Sequence, residues 1–451
     1  MSVLLVACGT GASDTPEPRM SPNPNATASP ILSVSSFGVQ CDGVTDDTQA
    51  FKKLASTIRS LASATVMFPA ASSCLVWSTG GVGGDVLFDL SNTNDVQFYG
   101  NGSTLLARNV TPLIMTAFDL NGSSNTLIDG LIFQSGYTSL DPNHGVDWII
   151  ARQGAHGIVL NNLTCTYGQI CFATKGEMVG QGSDANRVRN ITATNIVCMT
   201  VYYCLNFQSA GDDFYARGII GRNCGRTYFP WNVRNHDVWV DSQHGGPFDD
   251  VLLKVYTKQG LYSGLENIKL NYRTDGRYPG SGNQHVNQAL IAMDFELDDA
   301  NNLPGIMQNI DITLNVEGST VDPIQSIFIV RKMDIDGNPD TIGRGHQLYA
   351  VTIRGMARSL QHLSADAFRL FTWSTNNWTG DFVSSMTLDN LSINGATTAV
   401  NINGQGLSAS GATLRNIESD GLLIQSDTAG KPFYLNQAYF SNVTTGTLTV
   451  Q

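Results

Sequence analysis

Asn162-Leu163-Thr164-Cys165, with Cys171 six residues on, returns as Asn195-Ile196-Val197-Cys198 with Cys204. The Asn and both Cys positions recur at an interval of 33 residues. Each copy is a short strand of alternating apolar residues, and no amphipathic helix separates one copy from the next. That interval fits one coil of a solenoid. A single coil cannot bury its own apolar side, so successive coils must stack it into a continuous column. Stacked strands lie about 4.8 Å apart, within the Cα range of a disulfide. Cys165–Cys198 and Cys171–Cys204 are therefore candidate bridges between coils. Six extended residues span about 20 Å, so Cys165 reaches Cys171 only if the chain turns between them. The alternative is a ladder of buried thiols packed as small hydrophobes. Cys41 and Cys74 form a separate candidate pair, and Cys224 is left over.

The same unit, a strand introduced by Asn or Asp and closed by a Gly or Asn turn, runs from about residue 94 to the C-terminus. Asn94-Asp95-Val96-Gln97-Phe98-Tyr99-Gly100, Glu266-Asn267-Ile268-Lys269-Leu270-Asn271 and Gln308-Asn309-Ile310-Asp311-Ile312 are examples. With 45 Gly, 42% apolar and only 14% charged residues, the composition suits short strands and tight turns rather than helices. The fold expected is all-β: a parallel β-helix over residues 31–451, about a dozen coils and roughly 55–60 Å long. Unequal spacing between copies implies protruding loops of unequal length, which usually build a binding groove.

The net charge of −12 argues against a nucleic-acid partner, which needs a clustered excess of Lys and Arg. No apolar run approaches the roughly 18 residues of a membrane span. Leu4-Leu5-Val6-Ala7-Cys8-Gly9 resembles the cleavage region of a bacterial lipoprotein signal. The resemblance implies a lipidated Cys8, a flexible Ser/Pro/Asn/Thr-rich tether to residue 30, export to the cell surface or beyond, and membrane contact through the lipid alone.

Near the N-terminus, Phe37-Gly38-Val39-Gln40-Cys41-Asp42-Gly43-Val44-Thr45-Asp46-Asp47-Thr48 leads into an amphipathic segment, Lys52–Ala62, and then the strand Ala64-Thr65-Val66-Met67-Phe68-Pro69. This resembles the opening segment of the pectate-lyase-like superfamily of right-handed parallel β-helices, which includes polygalacturonases, polysaccharide lyases, epimerases and phage tailspikes. The resemblance implies a helix at 46–62 covering the N-terminal end, with Asp42, Asp46 and Asp47 closing the helix end rather than doing chemistry.

Candidate chemistry gathers between residues 140 and 290, which hold five of the seven His and three of the six Trp. Gly211-Asp212-Asp213 is the sharpest constellation, since adjacent carboxylates repel and push one pKa up towards a general acid. Asn235-His236-Asp237 follows about one coil later, and Asn267-Ile268-Lys269 another coil on. The order is similar to that of polygalacturonases. The similarity implies Asp212 and Asp213 as acid and water-placing carboxylate, His236 tuning their charge, Asp237 standing in for a third aspartate, and Lys269 gripping a substrate carboxylate. Tyr228, Trp231 and Arg234 lie on an extended segment suited to holding sugar rings. A polysaccharide is the expected substrate, and the rod allows a homo-oligomer. Glycoside hydrolysis by the carboxylate pair needs no cofactor. A lyase would neutralise a uronate with Ca²⁺, for which Asp249-Asp250 or Asp298-Asp299 could supply oxygens, or with Arg217, Arg222, Arg226 and Arg234. The segment Asp334–Asp340 reads as a turn. A third reading is a non-catalytic glycan-binding β-helix.

Overall fold

The computed structural model describes residues 29–447, apart from 79–82, 109–113, 141–144, 177–185, 210, 244–247, 258–263, 275–288, 298–304, 319–325, 334–346, 361–366, 374–382, 397, 403–408, 426–438 and 442–443. Cys8 with most of its tether, Asp298, Asp299 and the segment Asp334–Asp340 lie outside the described residues.

Every strand pairing is parallel, and strands pair with the equivalent strand of the next coil. The molecule is a right-handed parallel β-helix, and among the described residues it has one α-helix, at its N-terminal end. Two strand sets position everything discussed below. One runs through Val86–Asp89, Ile114–Asn121, Gly145–Arg152, Ile170–Lys175, Tyr203–Gln208, Arg226–Trp231, Val251–Thr257 and Ala289–Leu297. The other comprises longer strands: His156–Thr166, Arg189–Met199, Asp212–Arg222, Arg234–Gln243, Gly264–Thr274 and Ile306–Glu317.

Inward residues form the core column. Phe88 stacks on Phe118 at 4.6 Å, Phe118 meets Phe133 edge-on at 6.0 Å, and Phe133 stacks on Trp148 at 5.1 Å. Such offset and edge-to-face contacts suit ring quadrupoles and add about 0.5–1.5 kcal/mol per pair beyond burial. The long strands turn a corner at a left-handed residue near their start. Asn190, Asp213, Asn235, Asn267 and Asn309 hold it in register, all at φ between 55° and 60°. Asn and Asp tolerate this region because their short polar side chains bond locally. Here they bond along the rod axis. Asn235 Nδ2 donates to Asp213 Oδ1 at 2.8 Å, Asn267 to Asn235 at 2.8 Å, and Asn309 to Asn267 at 3.0 Å.

The helix spans Thr48–Leu61 and buries Phe51, Leu54 and Ile58 over the first coils, with Phe51 against Phe88 at 5.2 Å. The aspartates before it are structural, though not as helix caps alone. Asp47 makes no side-chain cap bond; its carboxylate accepts from Gln40 N at 2.7 Å and Cys41 N at 3.0 Å. Asp46 accepts from Thr48 N and from Ser78, while Asp42 ties down Val44 and Thr45.

The expected inter-coil bridges are corrected. Cys165 bonds Cys171 and Cys198 bonds Cys204, each across Cα separations of 5.7 Å within a single coil. Tyr167 (φ 59°) and Gly168 (φ 117°) turn the chain between strands, which brings residues six apart back together. Cys165 and Cys198 are register partners, but each is already committed within its coil. Cys41–Cys74 forms as expected, and Cys224 is a buried free thiol whose pKa burial pushes up to about 12.

Candidate functional site

The residues singled out from sequence are dispersed over five settings. Asp212 is buried and held by two arginines. Arg187 Nε and Nη2 donate to its two oxygens at 2.7 and 2.6 Å, and Arg234 Nη2 donates at 2.9 Å. Burial alone would raise its pKa, but the bonds from Arg187 and Arg234 outweigh burial and hold it below the usual carboxylate range. The raised acidity expected of the Asp-Asp pair is therefore absent at Asp212, and Arg234 is a clamp on it. Arg187 also donates to the carbonyls of Ser209 and Asn232, so one guanidinium staples neighbouring coils. Asp213 is the first acceptor of the Asn ladder.

His236 and Tyr228 face inward. His236 pairs with Phe214 and Ile268 in register and packs edge-on against Phe207 at 4.9 Å. Its Nε2 bonds the carbonyl of Gly211, and its Nδ1 lies 2.6 Å from Tyr228 Oη. A carbonyl can only accept, so Nε2 carries the proton and Nδ1 accepts from the tyrosine hydroxyl. Burial lowers the His236 pKa to about 4 and keeps the ring neutral, and burial likewise raises Tyr228. Neither side chain reaches a surface. Asp237 and Lys269 sit on the outer face of the long-strand set, 4.0 Å apart, with Arg217 on Asp237 at 2.9 Å. Only Trp231 belongs to a groove.

The candidate calcium pair is also satisfied within the protein. Asp250 accepts from Thr227 Oγ1 and Tyr272 Oη, and Asp249 accepts from Ala289 N. Among the described residues, the one compact group of metal-ligating types is Cys41, Asp47 and Cys74, whose two sulfurs are in a disulfide.

The candidate groove is the outer face of the first strand set, in three rows that the parallel register aligns. The first is Asp147–Ile170–Tyr203–Arg226. The middle row is Asp119–Ile150–Ala173–Asn206–Phe229. The third is Asn121–Arg152–Lys175–Gln208–Trp231–Lys254. In the middle row Ile150, Ala173 and Phe229 are buried in small apolar clusters separate from the core and Asn206 is buried beside them, while Asp119, Arg152, Lys175, Gln208, Trp231 and Lys254 are half-buried. The third row thus presents a partly accessible line of cations, an amide and an indole, one residue per coil of about 4.8 Å.

Lys175 Nζ bonds Asp147 Oδ2 at 2.8 Å, and Arg152 Nε lies 3.4 Å from Asp119 Oδ1. Burial raises the pKa of Asp147 against the opposing pull of Lys175. Burial also raises Asp119, with Asp89 adding to it and Arg152 opposing. Lys254 lies 4.9 Å from the Trp231 ring centre, and Arg226 5.0 Å from that of Phe229. Several polar atoms here are shielded from water yet have no hydrogen-bond partner among the described residues: Asp147 Oδ1, both amide atoms of Asn206, and Trp231 Nε1. Such groups are rare in native proteins, because each costs its full desolvation penalty of about 1–3 kcal/mol. Clustered on one groove, they suit a polar ligand.

Sequence reading missed Asp119, Asp147, Arg152, Lys175, Asn206, Gln208 and Lys254. The signal was present in the cysteine repeat itself, since Lys175 and Gln208 each stand four residues after Cys171 and Cys204.

No protein-family model matches the chain, and no curated protein matches it either. Solved structures do. The A-module of mannuronan C-5 epimerase AlgE6 from Azotobacter vinelandii superposes with a TM-score of 0.56 at 12% identity, covering 92% of this chain and 99% of that one. The surface adhesin PfbA of Streptococcus pneumoniae gives 0.49 at 12% identity, over 89% and 96%. An endo-xylogalacturonan hydrolase of Aspergillus tubingensis gives 0.45 at 12% identity, over 93% and 100%. Together with the parallel register and the helix-capped N-terminal end, the likeness to the epimerase module shows the fold, a right-handed parallel β-helix.

Proposed function

We propose that the protein processes an acidic, uronate-bearing polysaccharide bound along the groove, with Asp147 as proton donor to the glycosidic oxygen. The observation that carries the reading is the set of shielded, unpartnered polar atoms on the same face as the cations of the third row. Arg152, Lys175 and Lys254 would meet uronate carboxylates, and Trp231 offers an apolar face to a pyranose ring. Asp147 is suited to donation because burial favours its neutral form and one of its oxygens has no hydrogen-bond partner among the described residues. Asp119, on the adjoining strand and beside Arg152, is the second carboxylate, placed to take a proton from water.

The first-named structural neighbour is a mannuronan epimerase, a reaction on uronate residues. The cation row supports a second reading, β-elimination, in which a neutralised uronate loses the proton next to its carboxylate. One assay separates the two. Incubation with polygalacturonate and alginate is expected to release reducing ends without ultraviolet absorbance at the unsaturated-product wavelength. Reducing ends with that absorbance would replace hydrolysis by elimination. No product from either polymer, with Asp147→Asn indistinguishable from wild type on any glycan tested, would sink the enzyme reading.

A further inference from the structure

Trp239 is the one exposed tryptophan among the described large apolar residues, 50% accessible on the outer face of the long-strand set. It follows Trp231 by one corner of the same coil, so it faces a different side of the rod from the groove. A lone exposed ring needs no explanation. This one is built into a constellation. The Arg217 guanidinium lies 4.1 Å from the Tyr215 ring centre and 4.9 Å from that of Trp239, so it is held between two aromatic faces. Arg217 also bonds Asp237 Oδ2 at 2.9 Å, which fixes the fork in place. In register, Tyr215 neighbours Asp237 and Asp237 neighbours Lys269, while Trp239 neighbours Asn271.

The backbone explains why the face opens here. Earlier coils turn a second corner at a left-handed residue: Asn162, then Asn195, then Gly218. The next long strand has no such residue, and its pairing slips by one between Ala216 and Ile219. Trp239 takes the place of the lost corner, so the strand runs on without that turn and presents the ring at the surface. Two polar atoms beside it, Asp237 Oδ1 and Asn271 Nδ2, are shielded from water and lack a hydrogen-bond partner among the described residues. An acceptor and a donor without partners, flanking an exposed indole, match the hydroxyls around an apolar pyranose face.

We propose that this surface is a second glycan-binding site, which anchors a pyranose unit of the polysaccharide away from the groove. Trp239 stacks on the ring, Asp237 and Asn271 take its hydroxyls, and Lys269 and Arg217 suit a chain that carries carboxylates. The proposal rests on the groove reading for the class of ligand, and on this face alone for the site.

The test is native affinity electrophoresis in gels cast with polygalacturonate, alginate or glucomannan. Wild type is expected to be retarded in at least one of them. Trp239→Ala should raise the apparent Kd about tenfold or more, as for a central aromatic anchor. Its turnover on a short soluble oligosaccharide should stay at the wild-type rate. A groove variant, Lys175→Ala, should do the reverse, losing turnover while keeping most of the retardation. Equal retardation of wild type and Trp239→Ala overturns the site even if the groove is active. So does absence of retardation of wild type in all three gels, or a size-exclusion profile in which Trp239→Ala converts a dimer to a monomer.

Discussion

At residue scale, burial and partnering decide which of the acidic groups can do chemistry. Asp147→Asn removes the proposed proton donor and is expected to slow turnover by about 10²–10⁴-fold. The residual rate should lose the alkaline decline of wild type, in which activity falls as pH rises through the raised pKa of Asp147. Initial rates across pH check both. Asp212 calls for the opposite expectation. Asp212→Asn leaves the 5% exposed Arg187 without its counter-charge, and loss of one partner of a buried pair costs about 3–5 kcal/mol. The carboxylate of Asp212 contributes stability above its unfolded pKa and loses it as pH falls through its depressed folded one. His236 shapes acid stability over a higher window. Unfolded, it takes a proton near 6.5; folded, it resists protonation until about 4. The unfolded chain therefore binds more protons between these values, and stability should fall on acidification through that window by about 3 kcal/mol. Urea unfolding from pH 7 to pH 4 should show that slope in wild type and its loss in His236→Gln.

The sequence made Asp212 and Asp213 look chemical because adjacent carboxylates are chemical in many enzymes. Register shows otherwise: Asp213 stands where other coils place Asn, and Asp212 faces Arg234. Pair spacing along a chain cannot reveal which side of a corner a residue falls on.

At element scale, the Asn ladder and the intra-coil disulfides carry the coil shape. Asn267 donates to Asn235 and accepts from Asn309 while holding φ at 56°. Asn267→Ala should lose both bonds and strain the corner, costing about 2 kcal/mol, whereas Asn267→Gly keeps the backbone free and should cost less. Chemical denaturation of the two variants measures the difference. The strand repeat was legible because apolar alternation and Asn corners leave a period in the sequence. The disulfide pairing was not, since Cα distances of about 5–6 Å arise both between stacked coils and across a tight bend such as Tyr167-Gly168.

At the scale of the whole molecule, one helix shields the open N-terminal end of the column. Leu54→Asp should place a charge against Phe51 and the first coils, expose strand edges, and shift the protein to soluble aggregates on size exclusion. This capping was legible in the opening segment near residues 37–69. The groove was harder to read because each row draws one residue from each of several strands, scattered over more than a hundred residues of chain.

In-register stacking makes the groove periodic, with a repeat of about 4.8 Å. A pyranose unit of a glycan chain has a similar length. A glycan bound as proposed would thus be nearly commensurate with the coils, and sliding by one sugar would bring each unit to the next coil's residue in the row. Arg152, Lys175, Gln208, Trp231 and Lys254 act as graduations on a ruler. Altering a graduation far from Asp147 should change the lengths of the products released more than the rate of their release.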